Sequence, residues 1–163
     1  MLEIARFLLP DAPQRVAPFS HAVRAGDFLF VTGQMPTLPG GGMRLVEGGI
    51  EPQTGQVIEN LRTVLAGSGG DWERTVFARV YLTEFVRDYP AMNAIWEASF
   101  PPGGLPARTC VGVTALAVAR NSASSGAGIS RIASRMPRGS RIASSSKPST
   151  GMTSGTRSIG DSA

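Results

Sequence analysis

Residues 75–117 read TVFARVYLTEFVRDYPAMNAIWEASFPPGGLPARTCVGVTALA. Thr75 to Thr83 alternates, with Val76, Ala78, Val80 and Leu82 on one face and Phe77, Arg79 and Tyr81 on the other. A period of two predicts a half-buried strand. Asp88 then predicts a helix cap with Pro90 in the first turn, and Met92, Ile95, Trp96 and Phe100 fall at helical spacing. The rigid run Pro101 to Pro106 ends that helix. Ala107 to Ala117 predicts a further strand, with Val111, Val113 and Ala115 on one face and Arg108, Cys110, Gly112 and Thr114 on the other. Strand, helix and strand in succession place the chain among α/β folds, with the helix covering one face of a sheet.

Upstream the same grammar repeats. Phe28 to Thr32 is β-branched and aromatic and follows the turn Ala25-Gly26-Asp27, with His21–Arg24 as its hairpin partner. Pro36 to Gly42 is a loop whose glycine triplet lacks the Lys-Ser/Thr of a phosphate loop. Ile50 to Ala66 predicts a helix, with Pro52 near its first turn and Gly67, Gly69 and Gly70 at its end. Gly55 inside it has no local rationale. The body reads β-β-(β)-α-β-α-β. Helices on one face leave the other face of the sheet to be buried, which favours an oligomer.

The chain has 163 residues, one cysteine and one histidine. A single cysteine excludes a disulfide framework and a multi-cysteine zinc site. A lone histidine argues against a His-based metal site. No run of eighteen apolar residues occurs, so no membrane span is expected. The apolar opening Ile4–Leu9 is broken by Arg6 and stopped by Pro10, too short for a signal-peptide core. The expected protein is soluble and cytoplasmic, with no metal or cofactor.

The formal charge of +4 is unevenly spread. Residues 1–117 carry 9 Arg and 11 acids, net −2, whereas 118–163 carry 7 Arg and Lys and one acid, net +6. The latter stretch holds 13 Ser and no aromatic residue. Its apolar content is too small to offset the entropy of ordering, about 1–2 kcal/mol per residue for the backbone. Two units are therefore expected: a body at 1–117, and a disordered, Ser/Arg-rich low-complexity tail at 118–163. A basic tail could contact nucleic-acid phosphates, but without stacking aromatics it reads as a solvated extension.

Arg108 opens a strand of small and apolar residues. Its planar fork suits a carboxylate or phosphate; the alternative is a structural salt bridge to Glu84 or Glu97. Cys110 leans to the same face. It is either a thiol activated by the neighbouring cation or a small buried hydrophobe, and the second reading is favoured. His21 reads as a surface hairpin residue, and Asn93 by default as a solvent-facing amide.

Five separated segments carry a family resemblance: Pro18-Phe19-Ser20, Ala25 to Gln34, Gln56 to Leu61, Met92-Asn93, and Pro106-Ala107-Arg108-Thr109-Cys110-Val111. In order and spacing they resemble the RidA (YjgF-type) family over roughly residues 10–117. The resemblance implies a chorismate-mutase-like α/β sandwich with two helices on one face of a mixed sheet. It implies a homotrimer with clefts between subunits, and hydrolysis of reactive 2-imino or enamine acids to 2-keto acids and ammonia. Arg108 would bind the substrate carboxylate, and Gly33 would add a backbone N–H. Cys110 would present its backbone to the ligand. Thr32 and Asn93 would line the cleft, and Phe19 stands where many members carry tyrosine. Arg108 and Cys110 are thus the candidate catalytic positions, and a small 2-imino or 2-keto acid is the expected partner.

The family closes with one more strand, whose glutamate positions the attacking water. Here the chain after Ala117 reads Val118-Ala-Arg-Asn-Ser-Ala-Ser-Ser-Gly126, with no glutamate from 118 onward. The last strand is therefore expected to be lost and the activity weakened. One account is a shift of reading frame, since suitable codons for Ala119 to Gly126, read two bases along, spell Ala-Lys-Leu-Gly-Ile-Glu-Trp. The rival readings are a non-catalytic carboxylate-binding member and an RNA-acting translation inhibitor. The acidic body and single histidine weigh against the latter.

Overall fold

The computed structural model describes residues 2–117 and 127–136. Its core is a six-stranded mixed sheet in the order β1-β2-β3-β6-β4-β5, with two helices against one face. The strands are β1 (Ile4–Phe7), β2 (Ala22–Ala25), β3 (Phe28–Val31), β4 (Thr75–Leu82), β5 (Ala107–Gly112) and β6 (Ala127–Arg135). The helices are α1 (Ile50–Gly67) and α2 (Phe85–Ala98).

The β2–β3 hairpin turns through Gly26 and Asp27, with Gly26 at φ 57°, a left-handed conformation that glycine adopts without a Cβ clash. Leu29 and Val31 point to the helices and are buried, while Phe28 and Phe30 face the other side at 44% and 51% exposure. The apolar opening Ile4–Phe7 is itself an edge strand, paired antiparallel to β2.

α1 closes on a Schellman cap. Gly69 at φ 77° turns the chain, its N–H bonds the Ala66 carbonyl, and the Gly70 N–H reaches back to Leu65. Val57, Ile58, Leu61, Val64 and Leu65 form the buried stripe of this helix. It packs with Trp72, Trp96 and Phe100, whose rings meet at 4.7–5.8 Å.

Several expectations are corrected. α2 begins at Phe85, not at Asp88. Asp88 lies in the first turn with its N–H on the Glu84 carbonyl, and Pro90 sits inside the helix. In β4, Val76 is exposed whereas Ala78, Val80 and Leu82 are buried. Thr75 and Phe77 pair with consecutive residues of β6, so Val76 is the extra residue of a bulge, and a bulge flips the alternation before it. β5 stops at Gly112, because it pairs only with β4, and β4 ends opposite it at Leu82.

The largest correction concerns the stretch beyond 117. The sheet does not lack its last strand. Ala127–Arg135 forms β6, antiparallel to both β3 and β4, in the middle of the sheet. A strand flanked on both sides gains main-chain hydrogen bonds along both edges, and the stretch itself, with Ala127, Ile129, Ile132 and Ala133, is less polar than the Ser/Arg-rich average of 118–163. Ser134 is fully buried, its Oγ donating to the Asp71 carbonyl at 3.0 Å, and Met136 is buried beyond it. The remainder of the expected disordered tail, 118–126 and 137–163, lies outside the described residues, as does the stretch Ala119 to Gly126 read for a shifted frame.

Candidate functional site

The register of two parallel strands positions Arg108. β4 and β5 pair Ala78 with Arg108 and Val80 with Cys110. Ala78 and Val80 face the helices, so Arg108 and Cys110 do too, and Arg108 emerges beneath α2.

There the guanidinium is held by one turn of helix. Its Nη2 donates to the Asn93 Oδ1 at 2.5 Å, its Nη1 lies 3.8 Å from the Met92 sulfur, and its Cζ stands 5.5 Å from the Trp96 ring centroid. A cation over an indole face contributes about 0.5–2 kcal/mol. Asn93 is therefore not a free surface amide: it orients the arginine. Met92 and Trp96, legible in sequence only as an apolar stripe, form the floor under it.

Among the described residues the ion pairs are Arg62–Glu59 and Arg87–Asp88. Neither Glu84 nor Glu97 pairs with Arg108, so the structural salt bridge is not the arrangement found. Asn93, Trp96, Glu97, Leu105, Pro106 and Arg108 surround a cavity of about 430 Å3. Its chemistry is a half-buried cationic fork with N–H donors to spare beside apolar walls, which suits a small carboxylate.

Cys110 is half-buried and packs against the core. Burial pushes its thiol up from the ordinary value, with the Arg108 charge pulling the other way. A protonated thiol is a poor nucleophile, so the small-hydrophobe reading fits the geometry.

The other candidates sit elsewhere. Phe19 and Gly33 border a small pocket beside His21. Thr32 gives its hydroxyl to the Ser20 carbonyl at 2.7 Å and its N–H to the His21 carbonyl at 3.0 Å. The pairing aligns Val31, Ile132, Ala78 and Arg108 in one row across the sheet. Thr32 and Gly33 thus lie level with Arg108 but three strands away, about 14 Å at the usual strand spacing. Within a single chain the two groups stay apart.

His21 is not a surface residue. It is 5% exposed. Its Nδ1 accepts the Leu9 N–H at 2.9 Å and its Nε2–H donates to the Pro13 carbonyl at 3.1 Å. Pairing of β1 with β2 folds the following loop over the ring, a contact without a local sequence signal. Asn60 is a second tie that the α1 pattern does not reveal. Buried in that helix, it donates to the carbonyls of Met35 and Thr37 at 2.9 and 3.0 Å and so fixes the loop after β3.

Among the described residues no helix is long and apolar enough to cross a membrane. Comparison with known proteins matches residues 9–122 to the family model described as endoribonuclease L-PSP. The RutC family protein slr0709 of Synechocystis is 39% identical over 106 residues, covering 65% of this chain and 81% of that protein. The protein DfrA of Myxococcus xanthus is 38% identical over 108 residues, covering 65% and 80%. Among solved structures, a Rid-family protein of unknown function from Yersinia pestis superposes with a TM-score of 0.71 at 28% identity, covering 82% of this chain and 100% of that one. RidA from the Antarctic bacterium Psychrobacter sp. PAMC 21119 gives 0.70 at 27% identity, covering 81% and 99%. The resemblance in the five sequence segments, the family match over most of the chain and the shared mixed sheet agree, and the chain belongs to the YjgF/RidA family.

Proposed function

We propose that this protein hydrolyses reactive 2-imino or enamine acids to 2-keto acids and ammonia. The observation that carries the reading is the Arg108 guanidinium, held by Asn93 and Trp96, free of any ion pair among the described residues and open to a cavity. A protonated imine carbon is already electrophilic. The protein's task is to grip the adjacent carboxylate, fix the plane of the C=N group and admit one water. Arg108 supplies the grip, and Leu105 and Pro106 supply apolar wall.

The cleft is completed by a second copy in a homotrimer. Gly33, beside the pocket it shares with Phe19, lies three strands from Arg108 within one chain, and the face of the sheet away from α1 and α2 exposes Phe28, Phe30 and Val111. Both features support assembly. The chain holds no glutamate after Glu97, so the water-positioning acid of the family resemblance has no counterpart in the expected place. A missing acid–base group lowers a rate by about 10²–10⁴-fold, and a correspondingly slow enzyme is expected.

The family description names an endoribonuclease. Against carrying that activity over, the only histidine is buried with both ring nitrogens occupied, and no imidazole remains to activate a ribose hydroxyl. The rival reading is a non-catalytic binder of small carboxylates.

The test generates 2-iminobutanoate in situ with a threonine dehydratase and follows 2-ketobutanoate. Acceleration by the full chain, lost in Arg108→Ala, is expected. No acceleration with 2-ketobutanoate still bound would establish the binder, and salt-sensitive RNA binding lost on deleting 118–163 would favour the nucleic-acid reading.

A further inference from the structure

We propose that Glu97 sets the charge preference of the Arg108 groove, selecting ligands that carry a cation next to their carboxylate and disfavouring the uncharged 2-keto group. The inference rests on the function proposed above and adds a residue to it.

Glu97 follows Asn93 by four residues on α2, so the two side chains occupy one helix face about 6 Å apart. Both border the cavity that holds Arg108. Opposite charges sharing a groove ordinarily pair, but here they do not. Asn93 takes the guanidinium through its Oδ1 and Trp96 holds it over the indole, and Glu97 is exposed with no ion pair among the described residues. The groove therefore keeps both poles, one positive and one negative, available to a ligand.

A protonated 2-imino acid matches both. Its carboxylate suits the fork of Arg108, and its iminium lies one carbon away, where a carboxylate on the neighbouring helix turn attracts it. Hydrolysis then changes the match. The water oxygen bonds to the imine carbon, the C–N bond breaks, and both water hydrogens leave with the nitrogen as ammonium. The remaining 2-keto acid has only its negative end, beside Glu97, and like charge favours its departure. Discrimination of this kind needs a repulsive element as well as an attractive one, and one side chain supplies both.

The experiment titrates the full-length protein with 2-aminobutanoate, a stable compound bearing the carboxylate and an adjacent cation, and with 2-ketobutanoate, by ligand-observed NMR. Wild type, Glu97→Gln and Arg108→Ala are compared, and thermal melts verify that each variant folds. The wild type is expected to bind the amino acid about tenfold more tightly than the keto acid. Glu97→Gln should weaken the amino acid about tenfold while leaving the keto acid unchanged or tighter, and Arg108→Ala should lose both. Equal shifts for the two ligands in Glu97→Gln, or no shift in either, would overturn the role of Glu97 while the carboxylate site stands. If neither ligand binds the wild type, the carboxylate reading fails, and this inference with it.

Discussion

Arg108 is restrained by its own chain, with no ion pair among the described residues. Asn93 occupies one terminal nitrogen and Trp96 one face, leaving N–H donors directed elsewhere. Arg108→Lys keeps the charge but loses the fork, and a KM for 2-iminobutanoate raised about 10-fold or more with a normal melting curve is the expected signature. Asn93→Ala frees the guanidinium to sample other rotamers and should cost several-fold in kcat/KM with little loss of stability. Cys110 behaves oppositely: burial holds its thiol protonated. Cys110→Ala should retain activity within about threefold, and the pH–rate profile should show no thiolate step below pH 9. Because the folded state keeps the thiol proton longer than the unfolded state, this residue makes stability fall as pH rises past the ordinary thiol range. A melting series of wild type against Cys110→Ala across pH 8–10 checks the sign.

At the level of elements, α1 both covers the sheet and anchors the loop after β3. Asn60 carries the second task through its amide bonds to Met35 and Thr37, with its Oδ1 accepting from the Gln56 amide at 2.9 Å. Asn60→Ala strands two carbonyls, and a loss of about 1–3 kcal/mol in denaturant unfolding is expected. The loop amides of Leu38 and Val46, bonded to Arg44 and Pro36, should exchange faster in the same variant. Gly55 has no such purpose. A Cβ added there meets nothing within 4 Å, and the residue is helical. Gly55→Ala should stabilise the protein by about 0.5–1 kcal/mol, read as a higher Tm.

On the scale of the whole molecule, the described residues cover one face of the sheet and leave the other open. Helices bury Leu29, Val31, Ala78, Val80 and Leu82, while Phe28 and Phe30 on the reverse side remain about half exposed. Large apolar side chains clustered on an open sheet mark an association surface. Phe30→Arg should dissociate the proposed homotrimer, visible by native mass spectrometry. Deaminase activity should fall with it, since Arg108 and Gly33 would no longer share a cleft. A monomer that stayed fully active would refute the shared cleft.

Much of this was legible from the chain. Period-two and helical spacing fixed α1, β3 and β4 within a residue or two, and local turn chemistry placed the β2–β3 hairpin and the end of α1, because these signals act between near neighbours. Arg108 stood out as a cation among small residues. Only tertiary structure decided whether it paired: the choice among Glu84, Glu97 and Asn93 depends on the parallel register of β5 against β4 and on the face α2 presents. Likewise composition measures how much apolar area a segment can bury, and averaged over 118–163 it hides the stretch 127–135, whose Ala127, Ile129, Ile132 and Ala133 make it no poorer in apolar residues than the chain as a whole. Two flanking strands supply main-chain bonds to that segment from both sides, and hydrogen bonding between strands distant in sequence leaves no mark in the composition of either.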